Sequence, residues 1–287
     1  MKRLLGTTGR SITAIGLGAM PLSLQGRPDE RSAVAVIARF VEAGGDFVDT
    51  ANVYCLDRRD VGHNERLVSS ALRGMGATER VLVATKGGLT REHDAWDTDG
   101  RPAWLRQSCE RSLRDLGTER IFLYQLHAPD PAVPFEDSIR ELARLREEGK
   151  IEHVGLSNVD VHQIETALAI TPIVAVQNKL NVLYRKSVQN GVVDFCREKG
   201  IAFIAHSAVG GHFGHRALAE ARELQAIAGA RGVTPYQLAL AWLLRLGKHI
   251  IPIPGASRVQ SVDDSLRAMS LRLSDAEIER LDRLSDA

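Results

Sequence analysis

The chain has 287 residues, of which 44% are hydrophobic and 25% charged, and its formal net charge is +1 at pH 7. This length suits one large α/β domain or two smaller ones, and the even spread of charge argues against a basic surface for nucleic acid or membranes. The three cysteines, Cys55, Cys109 and Cys196, are too far apart for a disulfide framework or a zinc site, which favours a reducing compartment.

The predicted elements begin with a hairpin over residues 3–13, whose turn is Gly6-Thr7-Thr8-Gly9. Short apolar runs then alternate with longer amphipathic segments. Strands are predicted at residues 15–17, 47–48, 81–84, 121–125, 153–156, 173–177, 201–205 and 250–253. Helices are predicted at residues 29–42, 64–72, 102–116, 135–148, 160–169, 187–199, 217–230, 235–246, 260–269 and 275–284.

This regular alternation predicts parallel strands joined by helical crossovers. Eight strand-helix units without a linker predict an α/β fold, a (β/α)8 TIM barrel with an N-terminal β-hairpin, in which residues 1–287 form a single domain. The main rival, a doubly wound sheet, needs a phosphate-binding glycine pattern after its first strand. Gly16 and Gly18 supply two of those glycines, and the third is missing. The longest predicted loop is residues 87–101.

Polar residues follow the C-terminal ends of six successive predicted strands, where a TIM barrel carries its sites. In strand order they are Asp49, Lys86, His127, Ser157-Asn158, Gln177-Asn178 and His206-Ser207. Each has an ordinary explanation by itself, such as a rim ion pair, a core histidine or, for Ser157-Asn158, a cap of the next helix. Their recurrence at matching positions indicates a functional site.

Three of these residues, together with Tyr54, suit the delivery of a proton to a carbonyl oxygen. A tyrosine keeps its proton up to about pH 10, so Tyr54 needs a cation such as Lys86 to loosen that proton. Asp49 would hold Lys86 in place, because a carboxylate that leaves a buried strand needs a counter-charge. His127 would orient the carbonyl oxygen. Since no side chain supplies hydride, a nicotinamide cofactor must bind.

Nine short motifs are spread over nearly the whole chain. They are Gly45 to Tyr54, Gly62 to Glu65, Ala84 to Lys86, Leu113 to Gly117, Leu123 to His127, Gly149-Lys150, Val154 to Asn158, Val176 to Asn178 and Ile253 to Ala256. In this order they resemble the aldo-keto reductase family. The resemblance assigns the family's catalytic tetrad to Asp49, Tyr54, Lys86 and His127. It implies NADPH-dependent reduction of an aldehyde or ketone, reversible, with Tyr54 as the proton donor.

The same resemblance implies which residues hold the nicotinamide. Ser157, Asn158 and Gln177 would contact its carboxamide, which needs both donors and acceptors. His206, followed by Ser207, stands where the family usually has an aromatic residue that stacks on the ring. Because an imidazole is smaller and titrates near neutral pH, we expect weaker or pH-sensitive cofactor binding.

The resemblance also places the adenosine phosphate beyond strand eight, near a helix N-terminus. The residues implied there are Ile253, Gly255, Ala256, Ser257 and Arg258. Arg258 is the expected contact of the 2′-phosphate. Ser261 and Ser265 replace polar residues that the family commonly has at the adenine site, so NADH is also possible.

The substrate pocket is predicted to include Met20, Cys55 and Trp96, which suits an apolar or sugar-like carbonyl compound. Trp96 has an equally good interpretation as an anchor of its own loop. His212 and His215 lack a third ligand in helical register, so no metal site is predicted.

Two other functions stay open. Lys86 could form a Schiff base in a lyase, although that requires a depressed lysine pKa and Asp49 would raise it. A nicotinamide-binding sensor or accessory subunit would bind NADPH with little turnover. We expect a small-molecule carbonyl substrate, no nucleic-acid or membrane partner, a cytoplasmic location and, by default, a monomer.

Overall fold

An antiparallel hairpin plugs one end of the protein's barrel. In the computed structural model, which describes residues 1–92 and 95–284 without the side chains of residues 212 and 213, β1 (Lys2–Leu4) pairs with β2 (Ser11–Thr13). Leu5 and Ile12 are buried in one apolar cluster with residues of the barrel interior. A Cβ on Gly6 would lie 2.0 Å from the Val174 carbonyl oxygen, so only glycine lets the hairpin approach this closely. The predicted hairpin is confirmed.

The central sheet is a closed barrel. The other strands are β3 (Leu17–Gly18), β4 (Phe47–Asp49), β5 (Leu82–Gly87), β6 (Leu89–Thr90), β7 (Asp97–Thr98), β8 (Ile121–Leu126), β9 (Ile151–Ser157), β10 (Ile173–Lys179), β11 (Ala202–His206) and β12 (Ile250–Pro252). All but β6 and β7 pair in parallel, in sequence order. Gly16 N–H donates to Pro252 O (2.9 Å) and Gly18 N–H to Pro254 O (3.1 Å), which joins the first barrel strand to the last. This confirms the (β/α)8 prediction.

Helices connect the strands and pack outside them. They are α1 (Glu30–Glu42), α2 (His63–Gly74), α3 (Pro102–Leu116), α4 (Phe135–Glu147), α5 (Val161–Leu168), α6 (Lys186–Gln189), α7 (Val192–Glu198), α8 (Gly211–Glu220), α9 (Arg222–Arg231), α10 (Pro235–Arg245), α11 (Val259–Arg267) and α12 (Asp275–Asp282). Within the described residues, none is both long enough and apolar enough to cross a bilayer.

Three predicted elements need correction. The single helix expected at residues 187–199 is two short helices, α6 and α7, because Gly191 between them has a φ of 80°. The single helix expected at 217–230 is α8 followed by α9, because Ala221 between them is extended, with ψ at 115°. The predicted loop 87–101 contains the antiparallel pair β6 and β7, and its residues 93 and 94 lie outside the described part.

The barrel interior changes from apolar to polar along its axis. Near the hairpin it is filled by buried apolar side chains that include Phe47, Leu123 and Ile204. Towards the C-terminal ends of the strands it holds four buried polar side chains, Asp49, Lys86, Gln125 and Gln177. Buried polar groups need hydrogen-bond partners, so these side chains must bond to one another or to nearby backbone groups.

Glu65 on α2 is a second buried polar group, and it lies behind the strand that carries Lys86. Its side chain is fully buried, and its Oε1 accepts a hydrogen bond from Thr85 Oγ1 at 2.5 Å. Its other oxygen, Oε2, has no partner within the described residues. Burial therefore raises the pKa of Glu65 to about 7, although the hydrogen bond from Thr85 lowers it.

This raised pKa predicts a pH-dependent stability. Since the folded-state pKa of Glu65 (about 7) exceeds the ordinary glutamate value of 4.5, folding binds a proton, and the free energy of unfolding falls as pH rises between these values. We expect Glu65→Gln to remove this loss. Between pH 5 and pH 8 the free energy of unfolding should therefore fall in wild type by up to about 3 kcal/mol more than in the variant. Urea unfolding at both pH values measures it. Glu119→Gln, at an exposed position, is the matched control, and an equal pH response in both variants would contradict the prediction.

Candidate active site

Lys86 is the centre of the candidate site. Its Nζ donates to Asp49 Oδ1 at 2.5 Å, to the Thr50 backbone oxygen at 2.9 Å and to the Tyr54 hydroxyl at 2.9 Å. Burial lowers the pKa of Lys86, but Asp49 and Tyr54 raise it, and the net result is a pKa above the ordinary value. Lys86 is therefore a buried cation with a paired carboxylate.

Tyr54 is delivered by the loop after β4 and is almost fully buried. Burial raises the pKa of its phenol, and Asp49 adds to the rise, while Lys86 lowers it. The net effect is a raised pKa of Tyr54. Lys86 does loosen this proton, as the sequence indicated, but its effect is smaller than that of burial. The phenol is neutral at physiological pH and holds a proton next to an ammonium.

His127 faces the same space from the end of β8. Its ring lies edge-on to the Tyr54 ring, with 5.7 Å between the centroids. Burial, with the charges of Lys86 and His206, holds the pKa of His127 well below its usual range, so the imidazole is neutral. Its Nδ1 is buried without a partner within the described residues. The structure thus brings the four predicted catalytic residues together.

The second oxygen of Asp49 accepts two side-chain amides. Gln177 Nε2 donates to Asp49 Oδ2 at 2.8 Å and Gln125 Nε2 donates to the same oxygen at 3.2 Å. Gln177 is a residue that the sequence assigns to the cofactor, and its nitrogen is directed at Asp49 instead of outward. Gln125 was not predicted as a site residue. It precedes His127 by two positions, and this strand alternation was the signal that could have found it.

The residues expected around the nicotinamide form a connected group. Asn158 Nδ2 donates to the His127 backbone oxygen (2.9 Å) and to Ser157 Oγ (3.1 Å). The His206 ring lies between Ser207 Oγ (3.0 Å from Nδ1) and Asn158 Oδ1 (3.4 Å from Nε2). Asn158 and Ser207 have φ values of 58° and 53°, which cost energy in residues other than glycine and are typical of a functional site.

Two expectations about this group need correction. Burial, together with the charges of Lys86 and Lys179, lowers the pKa of His206 to about 4, so this imidazole does not become charged near neutral pH. Ser157-Asn158 is not the cap of the next helix. That cap is Asp160, which accepts from Gln163 N–H while the Gln163 side chain accepts from Asp160 N–H.

Comparisons with known proteins identify the family of this chain. The sequence model of the Aldo/keto reductase family matches residues 14–286. The chain belongs to this family. It is 32% identical to the probable aldo-keto reductase 1 of Glycine max, over 96% of this chain and 86% of that protein. As a member, it is an NAD(P)H-dependent oxidoreductase.

Two solved structures extend the likeness to the whole fold. A thermostable aldo-keto reductase in complex with the inhibitor epalrestat superposes with a TM-score of 0.84 at 31% identity, over 99% of both chains. An aldo-keto reductase from Klebsiella pneumoniae in complex with NADPH gives a TM-score of 0.82 at 26% identity, over 99% of this chain and 95% of that one.

In this aldo-keto reductase the residues after strand β12 are those that the resemblance assigns to the adenosine phosphate. Ile253 and Ala256 are buried, whereas Gly255, Ser257 and Arg258 are exposed. Arg258 is the N-cap residue of α11, and its side chain does not cap the N–H groups of the first turn. A Cβ on Gly255 would lie 2.6 Å from Pro21 Cγ, so this loop packs closely on the loop after β3. An exposed guanidinium beside a helix N-terminus suits a phosphate.

The predicted pocket residues differ in their placement. The Trp96 ring is 45% exposed and lies 6.1 Å from the Tyr54 ring, and Met20 packs in the cluster that contains Tyr54. Cys55 is buried and its thiol donates to the Val53 carbonyl oxygen at 3.2 Å, and burial raises its pKa to about 11. Trp96 and Met20 therefore lie beside Tyr54, while the Cys55 thiol donates to the backbone.

Arg91 connects Trp96 to the loop after β4, and no motif in the sequence pointed to it. Its Nη2 donates to the Leu56 backbone oxygen at 2.5 Å, and its guanidinium carbon lies 5.0 Å from the centre of the Trp96 ring. Arg91 thereby packs against Trp96 while it is bonded to the loop after β4. The side chain of His212 lies outside the described residues, so the prediction that His212 and His215 hold no metal stays a prediction.

Proposed function

We propose that this protein reduces aldehydes or ketones to alcohols with NADPH, reversibly, with Tyr54 as the proton donor. The observation that carries the proposal is the buried chain of contacts from Asp49 through Lys86 Nζ to the Tyr54 hydroxyl, with distances of 2.5 and 2.9 Å. Such a chain has no evident use in stability, because a hydrophobic replacement of a buried ion pair is often as stable.

Proton delivery follows from the charges of these groups. Tyr54 holds its proton at neutral pH and gives it to the carbonyl oxygen. The ammonium of Lys86 then stabilises the phenolate that forms, and Asp49 keeps that ammonium oriented. His127 is neutral, and because its Nδ1 meets no acceptor, its proton is better placed on Nε2, from which it would donate to the same carbonyl oxygen. In alcohol oxidation the proton moves in the opposite direction.

The polar residues present fit a nicotinamide carboxamide. Both N–H groups of the Gln177 amide are directed at Asp49 and Gln125, so its oxygen is left to accept from the carboxamide nitrogen. Ser157 Oγ accepts from Asn158 and keeps its own hydrogen for the carboxamide oxygen. Bound there, the cofactor supplies the hydride that no side chain can provide.

NADPH is preferred over NADH in this proposal for two reasons. The Klebsiella pneumoniae relative was crystallised with NADPH. The exposed Arg258 at the start of α11 offers a bidentate partner for a 2′-phosphate, which NADH lacks. Replacing Arg258 by Met should therefore weaken the binding of NADPH and leave the affinity for NADH unchanged. Ile253, Gly255, Ala256 and Ser257 supply the backbone around that phosphate.

The test is NADPH consumption by the wild-type protein with a panel of aldehydes and ketones, followed by the absorbance of NADPH. Turnover supports the proposal. Tight NADPH binding without turnover on the whole panel would favour the sensor or accessory subunit. Covalent trapping of a carbonyl compound on Lys86 by borohydride would favour the Schiff-base lyase, against which the raised pKa of Lys86 speaks.

The low pKa of His206 gives a prediction for cofactor binding. Its imidazole becomes charged only as pH falls through about 4, so it is neutral throughout the range from pH 6 to pH 8. We expect the ratio of the NADPH Kd values of wild type and His206→Phe to be the same at pH 6 and pH 8. Fluorescence titration measures both values, and using the ratio cancels the titration of the cofactor's own phosphate. A ratio that changes with pH would mean that His206 titrates in this range.

A further inference from the structure

Gln125 lies inside the barrel and touches two parts of the candidate site. Its side chain is fully buried on β8, which pairs with the strand that carries Lys86. Its Nε2 donates to Asp49 Oδ2 at 3.2 Å, and its Oε1 accepts from Gln177 Nε2 at 3.3 Å. The amide therefore bridges the carboxylate of the ion pair and Gln177, which the proposed function assigns to the nicotinamide.

The neighbouring strand leaves room for this side chain. Gly155 on β9 is paired with Gln125, and a Cβ at that position would lie 2.8 Å from Gln125 Cγ. Real Cβ atoms do not approach other atoms so closely, so any other residue at 155 would displace the amide. The glycine is thus a structural requirement of the bridge.

The bridge matters because of how Asp49 is shared. One carboxylate oxygen of Asp49 faces Lys86, and the other, among the residues that the structure describes, receives only amide hydrogens, from Gln125 and Gln177. The negative charge of Asp49 raises the pKa of Tyr54. Amide donors aimed at Asp49 offset part of that charge, and they also fix which end of the Gln177 amide faces outward.

We propose that Gln125 is a positioning residue that ties the Asp49–Lys86–Tyr54 chain to the Gln177 amide, so that proton delivery and nicotinamide binding share one buried network. The inference rests on the proposed function. Gln125 is fully buried and acts through its two hydrogen-bond partners, Asp49 and Gln177.

Gln125→Met tests the idea, because it keeps the length of the side chain and removes both hydrogen bonds. We expect kcat for aldehyde reduction to fall about five- to tenfold with the carbonyl KM unchanged. Alcohol oxidation needs the phenolate, and its rate rises with pH through the pKa of Tyr54. Without the Gln125 amide, the negative charge of Asp49 raises the pKa of Tyr54 further. The increase of the oxidation rate with pH should therefore shift to higher pH by roughly half a unit to one unit.

Gln125→Glu gives an independent readout if the first variant does not fold. A protonated carboxyl can donate to Asp49 as the amide does, whereas an ionised one cannot. We therefore expect near wild-type turnover at low pH and a progressive loss as pH rises from 6 to 8, which wild type does not show. A merely structural role would not produce this pH dependence.

Gln237→Met is the matched control, because Gln237 is also buried and donates to a carboxylate, Asp264 Oδ1 at 2.6 Å, on the outer helices. It should change stability and leave the pH profile as in wild type.

The NADPH Kd of Gln125→Met, measured by fluorescence, should rise severalfold, because Gln177 loses the hydrogen bond that orients its amide.

The outcomes separate this inference from the function on which it rests. A wild-type kcat, pH profile and NADPH Kd in Gln125→Met, with an active wild type, would overturn the role of Gln125 alone. A wild type that reduces no carbonyl compound would overturn the proposed function, and the change in NADPH Kd would then still decide whether Gln125 acts on Gln177.

Discussion

Tyr54→Phe is expected to lower kcat for aldehyde reduction roughly 100- to 10,000-fold, the range that general acid catalysis contributes. The substitution removes one hydroxyl that lies 2.9 Å from Lys86 Nζ. Lys86 keeps its contacts with Asp49 and the Thr50 carbonyl oxygen, so the buried cation stays paired and the barrel stays folded. The NADPH Kd should change by less than about twofold, because the phenol contributes no charge to ground-state binding. Steady-state kinetics and fluorescence titration measure the two effects.

Tyr124→Phe is the matched control for the loss of a buried phenol. Tyr124 is fully buried on β8, and its hydroxyl has no partner within the described residues. This variant should keep wild-type kcat and NADPH affinity. If Tyr54→Phe retained turnover, the proton would have to come from His127 or water. If it lost turnover and NADPH binding equally, Tyr54 would be a structural residue.

The fold and the tetrad could be predicted because their signals are local. The alternation of short apolar runs with amphipathic segments predicts the barrel, and the polar residues at strand ends follow from where such barrels carry their sites. Asp49 ends β4, Lys86 lies one residue before the end of β5 and His127 follows β8, and parallel strands bring these ends to one rim. The break at Ala221 had no such signal, because alanine favours helix and only tertiary packing makes it extended.

The electrostatic state of the site could not be predicted, since it depends on burial. The sequence showed that a lysine and a tyrosine would meet, and this indicated a loosened phenol. The structure adds the desolvation that outweighs the lysine and raises the pKa of Tyr54. His206 gave the same kind of error, because burial beside Lys86 and Lys179 lowers its pKa to about 4. Charge pairing can be inferred from spacing, but the cost of removing water cannot.

Lys86→Met is expected to destabilise the fold by about 3–5 kcal/mol, because it leaves the buried carboxylate of Asp49 without its counter-charge. Lys86 is fully buried and Asp49 nearly so, so bulk solvent does not screen the charge that is left behind. The amides of Gln125 and Gln177 still donate to Asp49, but neutral donors compensate a buried charge only in part. Urea unfolding at neutral pH measures the loss, and turnover should fall at least as far as in Tyr54→Phe.

The double variant Asp49→Asn/Lys86→Met separates stability from chemistry. An asparagine oxygen can still accept from Gln177 Nε2, and no charge is left buried, so most of the lost free energy of unfolding should return. Turnover should not return, because no ammonium stabilises the phenolate of Tyr54. Recovery of both properties would mean that Lys86 serves only to neutralise Asp49. Recovery of neither would mean that the destabilisation comes from the shape of the lysine side chain and not from its charge, so the two measurements together identify what Lys86 contributes.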